Sequence, residues 1–423
     1  MNAEADAILH GRPESVGDLL NWRVEQTPDA EAFRYPDAQD AWVSLTWRQT
    51  LERVREVAAG LLTIPVGQAE RVAIAAPTRI EWILADLAIN AIGAAATTIY
   101  PNTAAEDFQF IVEHSGSKVL FAENADQAAK LDSASDQIRA VVLLDGEGDG
   151  ERTLSWNQLL ERGRQRLAEQ PDCVDQAREG VGLDSLATLI YTSGTTGRPK
   201  GVELVQRNWV YVGFGVVKLD IINSDDLQYL WLPLSHVFGK CLLAVQLAIG
   251  FTSAVDGRVE RIVPNLGVTK PTFMCGAPRI FEKVRATVLS SNATGVKGAI
   301  ARWAFSVGKQ SHEYRLAGKP LPGVLGVQYK IADKLVFSKL RERLGGRMKF
   351  MVSGSAKLNA KVQGWFYSAG LIIIEGYGLT ETTAVSFVNV PTRPKFGTVG
   401  QSLPGTEGQL AADGGAPVRG PGV

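Results

Sequence analysis

The sequence predicts an α/β protein built from two open α/β units of similar make-up, facing one another, followed by a small β subdomain. Three observations lead there. Short apolar runs alternate with helical or polar stretches over residues 71–144, and again over residues 229–375. From Thr398 onward glycines and prolines become dense. The first two patterns are those of strands buried among helices, and the third is that of short strands and turns. At 423 residues the chain exceeds one simple core. The expected divisions are 1–180, 181–390 and 391–423, the second carrying a basic helical insertion over about 279–349.

Taken in order, residues 14–62 carry two amphipathic helical stretches around a β-like segment, Trp42–Trp47. Thr46 with Gln49 three residues later is a capping-box pattern for the second helix. Arg71–Ala76, Val119–Ala122 and Ala140–Leu144 read as strands. Trp82–Tyr100 is interrupted by Asp86, Asn90 and Gly93, so it reads as a buried helix running into a strand at Ala96–Tyr100, not as a membrane span. Asp145–Arg152 and Glu169–Gly180 read as loops or boundaries. The second set of strands is Tyr229–Leu234, Phe273–Cys275, Lys349–Ser353 and Leu371–Glu375. Between them, Ile300, Trp303, Ala304 and Val307 recur at helical spacing, and a second stripe from Ile331 to Leu344 stops at Gly345-Gly346.

Composition narrows the class. With 45% hydrophobic and 21% charged residues the chain is an ordinary globular protein. The net charge of −1 gives no reason to expect a nucleic-acid partner. It hides an asymmetry, because residues 279–349 hold fifteen Lys and Arg against four Asp and Glu. Cys173, Cys241 and Cys275 form no CxxC pair and sit in or beside apolar stretches, as packed, reduced thiols do. The four histidines show no metal-ligand spacing, and the N-terminus is acidic where a secretory signal would be basic. The expectation is a cytoplasmic protein, with a possible peripheral place at an inner membrane face.

The chain is organised around Tyr191-Thr192-Ser193-Gly194-Thr195-Thr196-Gly197-Arg198-Pro199-Lys200-Gly201-Val202, which follows the strand-like run Leu186–Ile190. Glycines let backbone N–H groups converge, and hydroxyls add donors around the same hollow, which suits a polyphosphate. It is not a Walker A loop, because Lys200 lies between Pro199 and Gly201. Two further runs stand out, Leu232-Pro233-Leu234-Ser235-His236-Val237-Phe238 and Glu375-Gly376-Tyr377-Gly378-Leu379-Thr380-Glu381-Thr382. With the turn Ser353-Gly354-Ser355-Ala356, each directly follows or closes a strand-like run, so all could share one crevice beyond the strand ends.

Together these three runs resemble the motifs of the adenylate-forming superfamily, which includes acyl-CoA synthetases, luciferases and nonribosomal peptide adenylation domains. The resemblance implies ATP, Mg²⁺ and coenzyme A as cofactors or co-substrates. It implies that Thr192, Ser193, Gly194, Thr195, Thr196, Gly197 and Lys200 bind ATP at the phosphates. It adds Ser353, Gly354, Ser355, Glu375, Gly376, Tyr377, Gly378, Leu379 and Thr380 to the ATP site, with Tyr377 on adenine and Thr380 at the α-phosphate. His236, Val237, Phe238, Gly354 and Gly378 would line the acyl pocket, and Thr192 and Glu381 would hold the metal. Catalytic roles would fall to His236, Thr380, Glu381 and Lys200.

The chemistry so implied needs no general base. A carboxylic acid with a pKa of about 4–5 is already ionised at neutral pH and is itself the nucleophile. The site has to supply positioning and positive charge for the α-phosphoryl transition state. The basic stretch from Ala277 to Leu340 resembles the helical insertion of long-chain fatty acyl-CoA synthetases, so a long-chain fatty acid–CoA ligase is the favoured reading. The alternatives are a fatty acyl-AMP ligase that passes its acyl group to a carrier protein, and a lid-less nucleotide- or acyl-adenylate-binding module. The superfamily's ribose-binding Asp, hinge and lid Lys have no counterpart here, so the chain is expected to be the large N-terminal domain alone, with low activity by itself. The basic faces would either be solvated or meet an anionic membrane surface.

Overall fold

The computed structural model describes residues 3–131, 136–192, 197–291, 295–411 and 415–423. Its strands are β1 (Glu31–Pro36), β2 (Trp42–Thr46), β3 (Arg71–Ala75), β4 (Ala95–Ile99), β5 (Ser117–Ala122), β6 (Ala140–Leu143), β7 (Thr153–Ser155), β8 (Leu186–Thr192) and β9 (Lys200–Val205), then β10 (Leu227–Leu230), β11 (Thr252–Val255), β12 (Phe273–Gly276), β13 (Phe350–Ser353), β14 (Ile372–Tyr377), β15 (Phe387–Val388), β16 (Gln401–Ser402), β17 (Glu407–Gly408) and β18 (Val418–Arg419).

A seven-stranded sheet runs β7-β6-β5-β3-β4-β8-β9, and a nine-stranded sheet runs β16-β15-β14-β13-β12-β10-β11-β1-β2. Pairing is parallel except at the β8/β9, β1/β2, β14/β15 and β15/β16 edges. A two-stranded antiparallel pair, β17 and β18, stands apart. Two parallel-rich sheets and a small C-terminal β element are the fold class expected from the sequence.

Sheet membership cuts across the expected units. β1 pairs with β11, Phe33 opposite Ser253, so the N-terminal hairpin extends the second sheet. β8 pairs with β4, Thr97 opposite Leu189, so the strand expected to open the second unit completes the first sheet. The stretch 169–180, read as a loop or boundary, contains the helix Cys173–Arg178, whose Cys173 and Val174 turn into the core.

Alternation explains why both faces of the first sheet are covered. On β3, Val72 and Ile74 join one apolar core, whereas Ala73 and Ala75 join another with Phe108 and Leu120. The first of these cores is shared by both sheets and by the helices Val16–Gln26, Trp47–Leu62, Ile80–Ala91, Gln206–Val217 and Val237–Ile249. The capping box holds: Thr46 Oγ1 accepts from Gln49 N–H at 3.2 Å, and Gln49 Oε1 accepts from Thr46 N–H at 2.9 Å.

One ion pair lies inside the shared core. Lys240 Nζ reaches both Asp86 oxygens at 2.5 Å, with side chains 4% and 3% exposed, and sits 5.0 Å from the Trp209 ring. Burial pushes the Lys240 ammonium below its ordinary pKa, and Asp86 opposes that shift. Lys240→Met would strand the Asp86 carboxylate, so a loss of about 3–5 kcal/mol in denaturant unfolding is expected. Adding Asp86→Leu should recover most of it. A Lys240→Met variant as stable as the parent would refute the pairing.

Candidate active site

The C-terminal ends of β8, β13 and β14, together with the loop after β10, meet at one cavity of about 350 Å³. Thr192 closes β8, and His236 is the N-cap of the helix Val237–Ile249. Gly354 and Ser355 follow β13, while Gly376 and Tyr377 end β14 and Gly378, Leu379, Thr380 and Glu381 continue from it. Val237 and Phe238 complete the set, so every one of these expected residues lines the cavity.

The backbone is shaped for this. A Cβ on Gly378 would lie 1.6 Å from the Ala384 carbonyl oxygen, so only glycine lets the 378 and 384 segments pass. A Cβ on Gly354 would lie 2.9 Å from the Phe238 ring. Ser355, Thr383 and Ala384 all have left-handed φ, at 66°, 53° and 71°. Such strain in residues other than glycine gathers where surrounding structure enforces it, commonly at functional sites.

His236 is held from the first sheet. Thr78 Oγ1 donates to Leu232 O at 2.6 Å and accepts from Leu234 N–H at 3.2 Å, and Thr98 Oγ1 donates to Ser235 O at 2.9 Å. The ring's Nδ1 accepts from Phe238 N–H at 3.1 Å. In the neutral ring the proton then sits on Nε2, leaving that atom as the donor. Burial lowers the pKa of His236, which favours this neutral form.

His312, outside the site, is lowered to about 4, chiefly by burial and then by Arg315 and Lys309. Both histidines bind protons more readily unfolded, near pH 6.5, than folded. Their contribution to stability is therefore complete above about pH 6.5. It falls as pH drops from there toward about 4, the His312 value. Thermal midpoints measured against pH should show that fall, and it should be shallower in His236→Gln and His312→Gln. An unchanged slope in both variants would contradict the assignment.

The other expected residues that the structure describes do not line the cavity. Lys200 is exposed at the start of β9, opposite Thr192 in register, and Gly197 is exposed with φ 102°. Ser193, Gly194, Thr195 and Thr196 lie outside the described residues. Ser353 and Glu375 are buried register partners behind the cavity wall. Glu375 Oε1 accepts from Leu358 N–H at 3.2 Å, while Glu375 Oε2 and Ser353 Oγ have no hydrogen-bond partner among the described residues. Val352, Ala384, Val385 and Val388 also line the cavity, and sequence reading passed over them because isolated aliphatic residues read as core.

No group of three or more His, Cys, Asp or Glu among the described residues could hold a metal ion. Mg²⁺ keeps several waters and takes phosphate oxygens, so one or two protein ligands suffice. Glu381 and Thr192, lining one cavity, fit that need. Cys173, Cys241 and Cys275 are all buried and unpaired, and burial pushes the Cys241 thiol up to about 12. No helix among the described residues is long and apolar enough to cross a membrane.

Known proteins resemble this chain over nearly its whole length. A long-chain-fatty-acid–CoA ligase, FadD15, of Mycobacterium bovis is 35% identical, the match covering 97% of this chain and 68% of that protein. Long chain acyl-CoA synthetase 3 of Arabidopsis thaliana is 28% identical, over 94% of this chain and 61% of that one. The N-terminal domain of FACL13 from Mycobacterium tuberculosis superposes with a TM-score of 0.70 at 18% identity, covering 96% of this chain and 89% of that chain. FadD1 from Archaeoglobus fulgidus, a long-chain-fatty-acid-CoA ligase, gives 0.74 at 16% identity, over 98% and 76%. The family model described as AMP-binding enzyme matches residues 20–423, and the chain belongs to that family.

Proposed function

We propose that the chain activates a long-chain fatty acid with ATP, forming an acyl-adenylate and pyrophosphate, and then transfers the acyl group to the thiol of coenzyme A. The observation that carries this reading is the single cavity in which His236, Phe238, Tyr377, Thr380 and Glu381 meet at strand ends. In the first step a carboxylate oxygen attacks the α-phosphorus and pyrophosphate leaves. In the second the thiol attacks the acyl carbon, the C–O bond breaks, and AMP leaves with the bridging oxygen.

Tyr377 offers a ring face for adenine, and the unpartnered Ser353 Oγ and Glu375 Oε2 support a polar ring system nearby. Thr380 meets the α-phosphate, and His236 Nε2–H positions the carboxylate. Ser193, Gly194, Thr195, Thr196, Gly197 and Lys200 attend the β- and γ-phosphates, Lys200 lying opposite Thr192 in register. Glu381 and Thr192 would hold Mg²⁺, which when bound neutralises phosphate charge. Val237, Phe238, Gly354 and Gly378 form the acyl side of the cavity. We also propose that the basic segment 279–349 meets an anionic membrane surface, a reading supported by its excess of positive charge.

The test is a panel of fatty acids assayed for pyrophosphate release and thioester formation, with and without coenzyme A. Acyl-CoA made only from long-chain acids supports the proposal. Acyl-adenylate that accumulates and ignores coenzyme A points to a carrier protein as acceptor. Nucleotide binding without acid-dependent pyrophosphate release would leave a binding module.

A further inference from the structure

We propose that the insertion docks on an anionic lipid bilayer through one particular face, centred on a groove of about 330 Å³ between the helices Pro278–Ser291 and Gly295–Gln310 and the segment 333–343. This rests on the membrane contact proposed for the basic segment and deepens it by naming the face. Ile300 and Leu335 line the groove while still 36% and 45% exposed. Lys297, Lys339 and Arg343 line it as well, and among the described residues none of the three has a carboxylate partner. Phe305 also lines the groove and stacks on Trp365 at 4.5 Å and edge-on to Phe337 at 5.3 Å, which makes this a fixed surface rather than a loose one.

The mixture decides between occupants. A merely solvated face would turn its aliphatic residues inward and leave the cations over polar neighbours. Here exposed aliphatic side chains and unpaired cations share one depression, the composition that suits the boundary between headgroups and acyl chains. Among the described residues, eight of the seventeen exposed large hydrophobic residues fall within 279–349, spread over its successive helices. Exposed aliphatic residues along so much of the segment fit a bilayer better than one small ligand.

The experiment is vesicle co-sedimentation of the protein with phosphatidylcholine alone and with phosphatidylcholine mixed with phosphatidylglycerol. Binding should require phosphatidylglycerol and fall as salt rises through about 0.15 M, where charges are screened over about 8 Å. At about five-fold per cation, the variant Lys297→Glu, Lys339→Glu, Arg343→Glu should lose on the order of 100-fold in affinity. A second variant, Ile300→Ser with Leu335→Ser, should bind more weakly while keeping its circular dichroism. Equal binding to both vesicles would overturn the proposal, and so would undiminished binding by the charge variant. Saturable capture of a monomeric fatty acid in the groove, competing with vesicles, would overturn the bilayer as its occupant. Acid-dependent pyrophosphate release, assayed separately on the parent with a soluble acid, tells failure of the ligase reading from failure of this one.

Discussion

Changing Glu381 to Gln is expected to lower acid-dependent adenylation by about 10²–10³-fold, the scale of losing one charge stabiliser in a preorganised site. The fold should not change. Glu381 is exposed on the short turn Thr380–Thr382. That turn is pinned by its neighbour: Leu379 N–H donates to Thr382 Oγ1 at 2.9 Å, and Ser386 Oγ donates to it at 2.8 Å. Gln keeps the shape and removes only the negative charge. The loss should appear in turnover, with the thermal midpoint unmoved, and the metal concentration needed for half-maximal rate should rise. Unchanged turnover at saturating Mg²⁺ would remove Glu381 from the metal site.

Gly378→Ala is expected to be as damaging by a different route. The added methyl would fall 1.6 Å from the Ala384 oxygen, a backbone atom that cannot swing aside. Ala384 itself is tied back, its N–H donating to Leu379 O at 3.0 Å. Either the 378 turn or the 384 turn must therefore move, and both line the cavity. A displacement of about 1 Å at a reacting centre costs about 10²-fold, so kcat/KM should drop by at least that much. Gly267→Ala is the matched control. It lies in the helix Ile262–Thr269 with no atom within 4 Å of the new methyl, and should be neutral or slightly stabilising. If the two variants retain equal activity, the close passage at Gly378 has no functional role.

Much of this arrangement is legible in the sequence, for definite reasons. Strands such as Val119–Ala122 and Phe350–Ser353 announce themselves because sheets buried on both faces demand continuous apolar runs. The cavity residues fall in runs at strand ends, most of them glycine-containing, where the chain has to turn and where ligands sit in open sheets. Strand partnership was not legible. An apolar run records that a strand is buried, not which sheet receives it, and Phe33 finds Ser253 across about half of the chain. The strained Thr383 and Ala384 also left no mark, because residues other than glycine carry no sign of a left-handed backbone. The threonines that fasten the His236 loop were hidden for a related reason. Thr78 and Thr98 lie far from residues 232–235 in sequence and read as ordinary parts of the first α/β unit, Thr98 within a strand and Thr78 just after one.

The claim at the centre of this account is that a carboxylate oxygen attacks the α-phosphorus of ATP within the cavity that holds His236, Tyr377, Thr380 and Glu381. Turnover with a long-chain acid labelled with ¹⁸O in its carboxylate, followed by mass spectrometry of the phosphorus-containing products, measures that step directly. One labelled oxygen should appear in each AMP and none in pyrophosphate. Label in inorganic phosphate, with ADP and not AMP as the nucleotide product, would place the attack at the γ-phosphorus and contradict the account.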